Sequence, residues 1–215
     1  MKKDLVVKNF ECGNEVKDIT LSISPITFLV GPDERKKLEI MRSSDEKLGF
    51  KMINELPPYE GLFIEEDEKN FIDFWTEKFD INGDRSEAEC KLWCIITNIA
   101  YNRGSRIILD QPGCGLYPAK QSLLADMFYD AYKKLGVWFI INTNSEYLIR
   151  KSQVLVKKME FASIKEAEEN SPFTTYCVPM DGKPYSLGYR HDGIFKEEFV
   201  TGFYDEASNQ AFEIL

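Results

Sequence analysis

Three short stretches of this chain hold residues whose types and spacing suit phosphate chemistry. The first is the loop Gly31-Pro32-Asp33-Glu34-Arg35-Lys36-Lys37-Leu38, which follows the apolar run Ile26 to Val30 and leads into a helix-forming segment. Strand, loop and helix in that order is the setting in which backbone N–H groups cradle phosphates. Such a loop needs glycines so that its backbone can wrap the ligand, a lysine for the outer phosphates, and a Ser or Thr hydroxyl for Mg²⁺. Here the leading Gly31 and a lysine at the expected place, Lys37, are present. Glu34, Arg35 and Lys36 fill the interior, and Leu38 stands where the hydroxyl should be. A phosphate about 4 Å from a carboxylate such as Glu34 costs ~4 kcal/mol per charge pair at an effective dielectric of about 20. That is about three decades of affinity. The spacing therefore predicts a phosphate-loop frame stripped of its chemistry. The second stretch, Arg106 to Asp110, reads as a short buried strand with a carboxylate at its C-terminal edge, followed by Gln111-Pro112. The third is a buried strand from Val137 to Asn142 that runs into Thr143-Asn144-Ser145. Taken singly, each group has an ordinary alternative: Lys37 a surface lysine, Asp110 a turn or cap residue, Ser86 a helix N-cap.

These groups need a scaffold, and the pattern of apolar residues supplies one. Leu5 to Phe10 reads as a strand, and Ile19, Leu21 and Ile23 alternate with polar residues as in a half-buried second strand. Ile26 to Val30 suits a central strand covered on both faces. A helix is expected from near Lys36 to about Asp45. Gly61 to Ile64 is a candidate strand, and the acidic run Glu65 to Glu68 a solvated turn or helix N-terminus. Phe71, Phe74, Trp75 and Phe79 fall at helical spacing and are expected in the core. Ala88, Leu92, Ile95, Ile96 and Ile99 line one face of a helix from Ser86 to Asn102, stopped by Gly104. Ser86 with Glu89 three residues on makes a capping box. Pro118 opens the next helix and Gly136 closes it. A short helix after Ser145, then a strand from Val154 to Lys157, complete the expected core. Strands alternating with helices imply an α/β fold with parallel pairing. Beyond it, Phe173 to Pro179 and Tyr185 to Tyr189 flank Asp181-Gly182, a hairpin signal, and Gly202 to Leu215 is expected to be a terminal helix. The expectation is one domain over residues 1–215, with a core at 1–170 and a hairpin-and-helix appendage at 171–215.

Further segments fall in order with the loop. Arg85-Ser86-Glu87-Ala88-Glu89 keeps the Ser and final Glu of a Leu-Ser-Gly-Gly-Glu signature. Ile107-Ile108-Leu109-Asp110-Gln111-Pro112 matches a Walker B ending. Gly115-Leu116-Tyr117-Pro118, with Gln121 and Leu124-Ala125-Asp126, fits the loop and helix after it. Thr143-Asn144-Ser145 fits a Thr-His-Ser switch with its His replaced. Val7-Lys8-Asn9-Phe10 fits a first strand, and Gly202-Phe203-Tyr204-Asp205-Glu206 a Gly-Phe-Phe-Asp-Glu ending. Over roughly nine-tenths of its length, the chain resembles the ATPase heads of the ABC superfamily, especially bacterial AAA-type ATPases with an OLD-like or SMC-like head. The resemblance implies a P-loop NTPase-like fold with antiparallel N-terminal strands and a parallel core sheet. It implies a nucleotide site at Gly31, Lys36, Lys37 and Ser86, a metal position at Asp110, and catalytic positions at Asp110, Gln111 and Asn144.

The departures fall on that chemistry. Gln111 cannot take a proton as a carboxylate does, although some branches carry Gln there, and Asn144 has no titratable ring. The family's Gln between P-loop and signature has no counterpart, because residues 1–110 contain no Gln. The stretch from Lys37 to Ser86 is too short for a long coiled-coil arm. All of these positions are therefore expected to be vestigial. ATP, Mg²⁺ and other cofactors are not expected, and the role implied is a pseudo-ATPase acting as an interaction or regulatory subunit. Its partner would be a second copy, an active ATPase or a nuclease, and relatives in DNA maintenance and phage defence supply the context. The alternative is a divergent ATPase that works as a dimer.

The formal charge of −9 argues against direct nucleic-acid binding, which needs clustered Lys and Arg. No apolar run approaches a membrane span, and MKKDLVVKNF lacks the apolar stretch of a signal peptide, so a cytoplasmic location is expected. Five irregularly spaced cysteines read as reduced thiols. Cys90 and Cys94 share a helix face, but with one His in the chain, His191, a zinc site is not expected; His191 beside Asp192 reads as a turn residue.

Overall fold

A computed structural model describes residues 2–13, 15–53, 65–81, 83 and 85–197. An antiparallel ribbon of β1 (Lys3–Cys12) and β2 (Glu15–Ile23) precedes β3 (Ile26–Val30), α1 (Glu34–Leu48) and β4 (Lys51–Met52). Next come α2 (Glu66–Lys78), α3 (Glu87–Tyr101), β5 (Arg106–Asp110), α4 (Pro118–Leu135), β6 (Trp138–Asn142) and α5 (Glu146–Lys158). The described chain closes with α6 (Ile164–Asn170), β7 (Phe173–Cys177) and β8 (Tyr185–Ser186). The second sheet has the order β4-β5-β6-β3-β7-β8. Its first five strands are parallel, and β8 runs antiparallel at the edge.

Side chains alternate along a strand, so a strand covered on both faces feeds two cores. Ile26, Phe28 and Val30 of β3 enter one core with Ile107, Leu109, Phe139 and Ile141. That core is closed by α2 to α5, through residues such as Trp75, Ile96, Phe128 and Leu148. Leu29, Ile108 and Ile140 point the other way, against Ile40 and Met41 of α1 and the ribbon residues Leu5, Val7, Leu21 and Ile23.

Local chemistry sets the helix ends. Asp33 caps α1 by accepting from the Lys36 N–H at 3.0 Å, so this helix begins at Glu34, two residues before the expected start. Ser86 and Glu89 form the capping box of α3. Pro118 occupies the first turn of α4, and Gly136 ends it at φ 69°.

Three expectations need correction. Val154 to Lys157 is not a strand; it is the end of α5, whose buried residues Leu148, Ile149, Ser152 and Val156 keep helical spacing. The β-branched pair Val154 and Val156 favoured a strand, but packing of one helix face outweighed that propensity. Phe74 leaves the aromatic stripe: Phe71, Trp75 and Phe79 are buried, whereas Phe74 is exposed and stands edge-on to Trp75 at 5.1 Å. The hairpin is present, but its first strand belongs to the parallel sheet, running beside β3 from Ile26–Phe173 to Val30–Cys177. A boundary at residue 170 therefore cuts through one continuous sheet. The expected strand at Gly61 to Ile64, the expected helix at Gly202 to Leu215 and the Gly202-to-Glu206 match lie outside the described residues.

Candidate functional site

In open parallel sheets, ligands bind outside the carboxyl ends of the strands. Here β5, β6 and β3 are neighbours, with Asp110 in register with Asn142 and Asn142 with Leu29. The register thus brings Asp110, Asn142 and the loop after Val30 to one edge.

At that edge the side chains close on one another. Glu34 is the hub. Its Oε1 accepts from Lys37 Nζ at 2.8 Å and from Asn144 Nδ2 at 3.2 Å, and its Oε2 accepts from Asn142 Nδ2 at 2.8 Å. Asn142 Nδ2 also donates to Asp110 Oδ1 at 2.6 Å, so one amide joins two carboxyl groups. Lys37 Nζ donates a second bond to Asn144 Oδ1 at 3.3 Å. Lys37 has no exposed surface and Asn142 retains 1% of its own, whereas the Glu34 side chain is 49% exposed. Partial burial pushes the Glu34 carboxyl up. The bonds from Lys37 and Asn142, the Lys37 charge and the Asn144 bond outweigh that and hold it below its ordinary value. The Asn142 orientation follows from the same contacts, since a reversed amide would face two carboxyl groups with oxygen. Its Oδ1 is left buried with no partner among the described residues.

Four of the backbone donors around the loop are already engaged. The Gly31 N–H goes to Asn144 Oδ1 at 3.2 Å, that of Glu34 to Pro32 O, and those of Lys36 and Lys37 to the Asp33 side chain and carbonyl. Only Gly31, Pro32 and Asp33 separate β3 from α1. Gly31 has φ +115°, and a Cβ there would meet Val178 O at 2.6 Å, so packing against the chain after β7 requires glycine.

Two predicted site residues lie outside the cluster. Lys36 turns away and donates to Met180 O at 2.6 Å and Pro179 O at 3.2 Å, tying α1 to the hairpin. Ser86 is engaged with Glu89 through both its N–H and its hydroxyl, and Glu89 pairs with Lys120 at 2.9 Å. Arg35, too, is outward, paired with Glu11. Gln111 turns at φ +46°, its N–H on Asn142 O. Lys91 of α3 braces this turn by donating to the carbonyls of Asp110 at 3.1 Å and Gln111 at 2.9 Å. The sequence reading missed Asn142 and Lys91. A polar residue closing the otherwise apolar β6 was the available signal for Asn142; Lys91 sits on an exposed helix face and gave none. His191 lies in a turn, and among the described residues no three His, Cys, Asp or Glu side chains converge as a cation site.

No family model and no curated protein sequence matches the chain. Among solved structures, an ATP-binding cassette of an ABC transporter in its ADP conformation superposes with a TM-score of 0.53 at 12% identity, over 89% of this chain and 92% of that one. A nucleotide-free ATP-binding cassette gives 0.47 at 12% identity, over 83% of this chain and 88% of that one. An ATP-binding subunit of an ABC transporter gives 0.46 at 13% identity, over 96% and 92%. The last two are too distant to carry an argument, and identities this low speak to fold alone. With its antiparallel ribbon, parallel core sheet and strand-end loop at Gly31, the chain has the P-loop NTPase-type α/β fold of an ABC ATP-binding cassette.

Proposed function

We propose that this chain is a non-hydrolysing pseudo-ATPase, a degenerate relative of OLD-like and SMC-like ATPase heads that serves a protein partner as an interaction or regulatory subunit. The observation that carries this reading is the Glu34 carboxylate seated on Lys37, Asn142 and Asn144. An incoming phosphate would meet a negative charge where it needs donors. As placed, the residues do not fit a triphosphate with its metal. The loop N–H groups of Gly31, Glu34, Lys36 and Lys37 are engaged, Leu38 offers no hydroxyl, and Asp110 is hydrogen-bonded to Asn142. Gln111 and Asn144 offer no proton-accepting carboxylate or imidazole for activating water. A head of this kind keeps the surface through which ATPase heads pair. A second copy, an active ATPase or a nuclease is the partner class, and bacterial DNA maintenance or phage defence is the setting by analogy.

A divergent ATPase is the competing reading, favoured by the convergence of Lys37 and Asp110 on one cluster through Asn142. Thermal melts with and without millimolar Mg-ATP separate the two. Ligand at about 100 times its Kd would raise a chain of this size by roughly 5–10 °C. The pseudo-ATPase reading expects coincident curves; a rise of that size would overturn it.

A further inference from the structure

Resting on the site geometry above, we infer that Glu34 is a resident anion: its carboxylate fills a pocket for a small oxyanion, of the phosphate class, formed by Lys37, Asn142 and Asn144. The donors are arranged around an anion and not a single atom. Lys37 and Asn144 converge on one carboxylate oxygen, and Asn142 serves the other. Burial adds an independent argument. The Lys37 ammonium has no solvent exposure, and a buried cation needs an anion beside it. Asp110 accepts from the same Asn142 nitrogen, and among the described residues it makes no ion pair with Lys37, so Glu34 is the carboxylate paired with Lys37. The pocket also lies at the first turn of α1, a helix of 15 residues, whose dipole favours negative charge at that end.

The half-exposed Glu34 side chain marks the open side of the pocket, so an external ion has a way in once the carboxylate is gone. Until then a free ion competes with a tethered one, whose effective concentration is of millimolar order or above. The intact protein therefore ignores millimolar phosphate, and removal of Glu34 uncovers the response.

The test uses the full chain with Glu34→Ala and, separately, Glu34→Ser, melted in inorganic phosphate and in chloride at equal ionic strength. The intact protein is expected to melt identically in both. Each variant is expected to melt lower than the intact protein in chloride and to recover by about 3–6 °C at ~10 times the Kd for phosphate. Adding Lys37→Met to Glu34→Ala should abolish the recovery. Glu66→Ala, which removes a first-turn glutamate from α2, should show none. A folded variant without a phosphate-specific response overturns the inference, as does failure of both variants to fold even in phosphate. Folding in phosphate but not in chloride supports it. The outcome is separable from the pseudo-ATPase reading. Stabilisation of the intact protein by Mg-ATP sinks that reading, whereas flat variants beside a flat intact protein sink this inference alone.

Discussion

Lys36 and Lys37 are adjacent in the loop and have opposite roles. Lys37 turns to the strand ends and holds Glu34. Lys36, 3% exposed at its side chain, reaches two carbonyls of the hairpin and the Asp33 carboxylate at 3.3 Å. Removing its ammonium takes that donor from both carbonyls and the cation from Asp33 Oδ2, while the Lys36 N–H still caps Oδ1. Lys36→Met should therefore cost about 2–4 kcal/mol in urea melts; a cost below about 0.5 kcal/mol, typical of a surface site, would mean that water replaces the ammonium freely. At this scale the sequence was legible in kind and not in contact. Gly31 and Lys37 were identified by position in a strand–loop–helix pattern, Asp110 at the edge of a buried strand and Asn144 by resemblance to a Thr-His-Ser switch, and the structure brings them to one edge. Lys37 alone resembled a surface lysine because its burial depends on Asn144, 107 residues away. Asn142 went unnoticed because its importance lies in parallel register with Asp110, and no period within one strand reveals that. Gly31 carries two requirements at once, the loop turn and the close approach of Val178, and only the first can be read from a motif.

Elements with strong end signals were readable to within a residue or two: β5, α3 with its capping box, and α4 between Pro118 and Gly136. The end of α5 was misread because the run Val154-Leu155-Val156 fits a strand as well as a helix in a short window. The capping box also has a pH signature. The Lys120 bond, reinforced by the Ser86 N–H and hydroxyl, lowers the Glu89 carboxyl from 4.5 to about 2. A depressed carboxyl favours the folded state at pH values above 4.5, and that contribution fades as pH falls toward 2. Glu89→Gln removes the titration while keeping an N3 side chain that can cap. The stability difference between the intact protein and this variant should be constant above about pH 5 and close between pH 4.5 and 2. Urea melts across that range read it directly, and a gap that persists unchanged at pH 2 would show that the Lys120 bond does not control Glu89.

At the scale of the whole molecule, the sheet decides how far the parts depend on one another. The continuous apolar run Ile26 to Val30, and strands alternating with helices, foretold a two-faced parallel core. It could not foretell that β7 pairs with β3 across nearly 150 residues of chain, because crossover connections set that neighbour. The consequence is energetic. Phe173 stacks on Phe28 of β3 with centroids 6.2 Å apart, and it also meets Tyr129 of α4 at 5.8 Å and Tyr189 beyond the hairpin at 6.4 Å. Truncating a buried Phe costs about 3–5 kcal/mol through lost transfer energy and the cavity left behind. If residues from 171 onward were an appendage, Phe173→Ala would loosen the hairpin and leave the rest untouched. All three tryptophans, Trp75, Trp93 and Trp138, precede residue 171, so their fluorescence reports on the other side of that boundary. Phe173→Ala should shift the tryptophan transition and the far-ultraviolet dichroism transition together, by the full 3–5 kcal/mol, because one sheet carries both. A tryptophan transition that stays in place while dichroism loses a separate early phase would show that the hairpin unfolds independently of the sheet it joins.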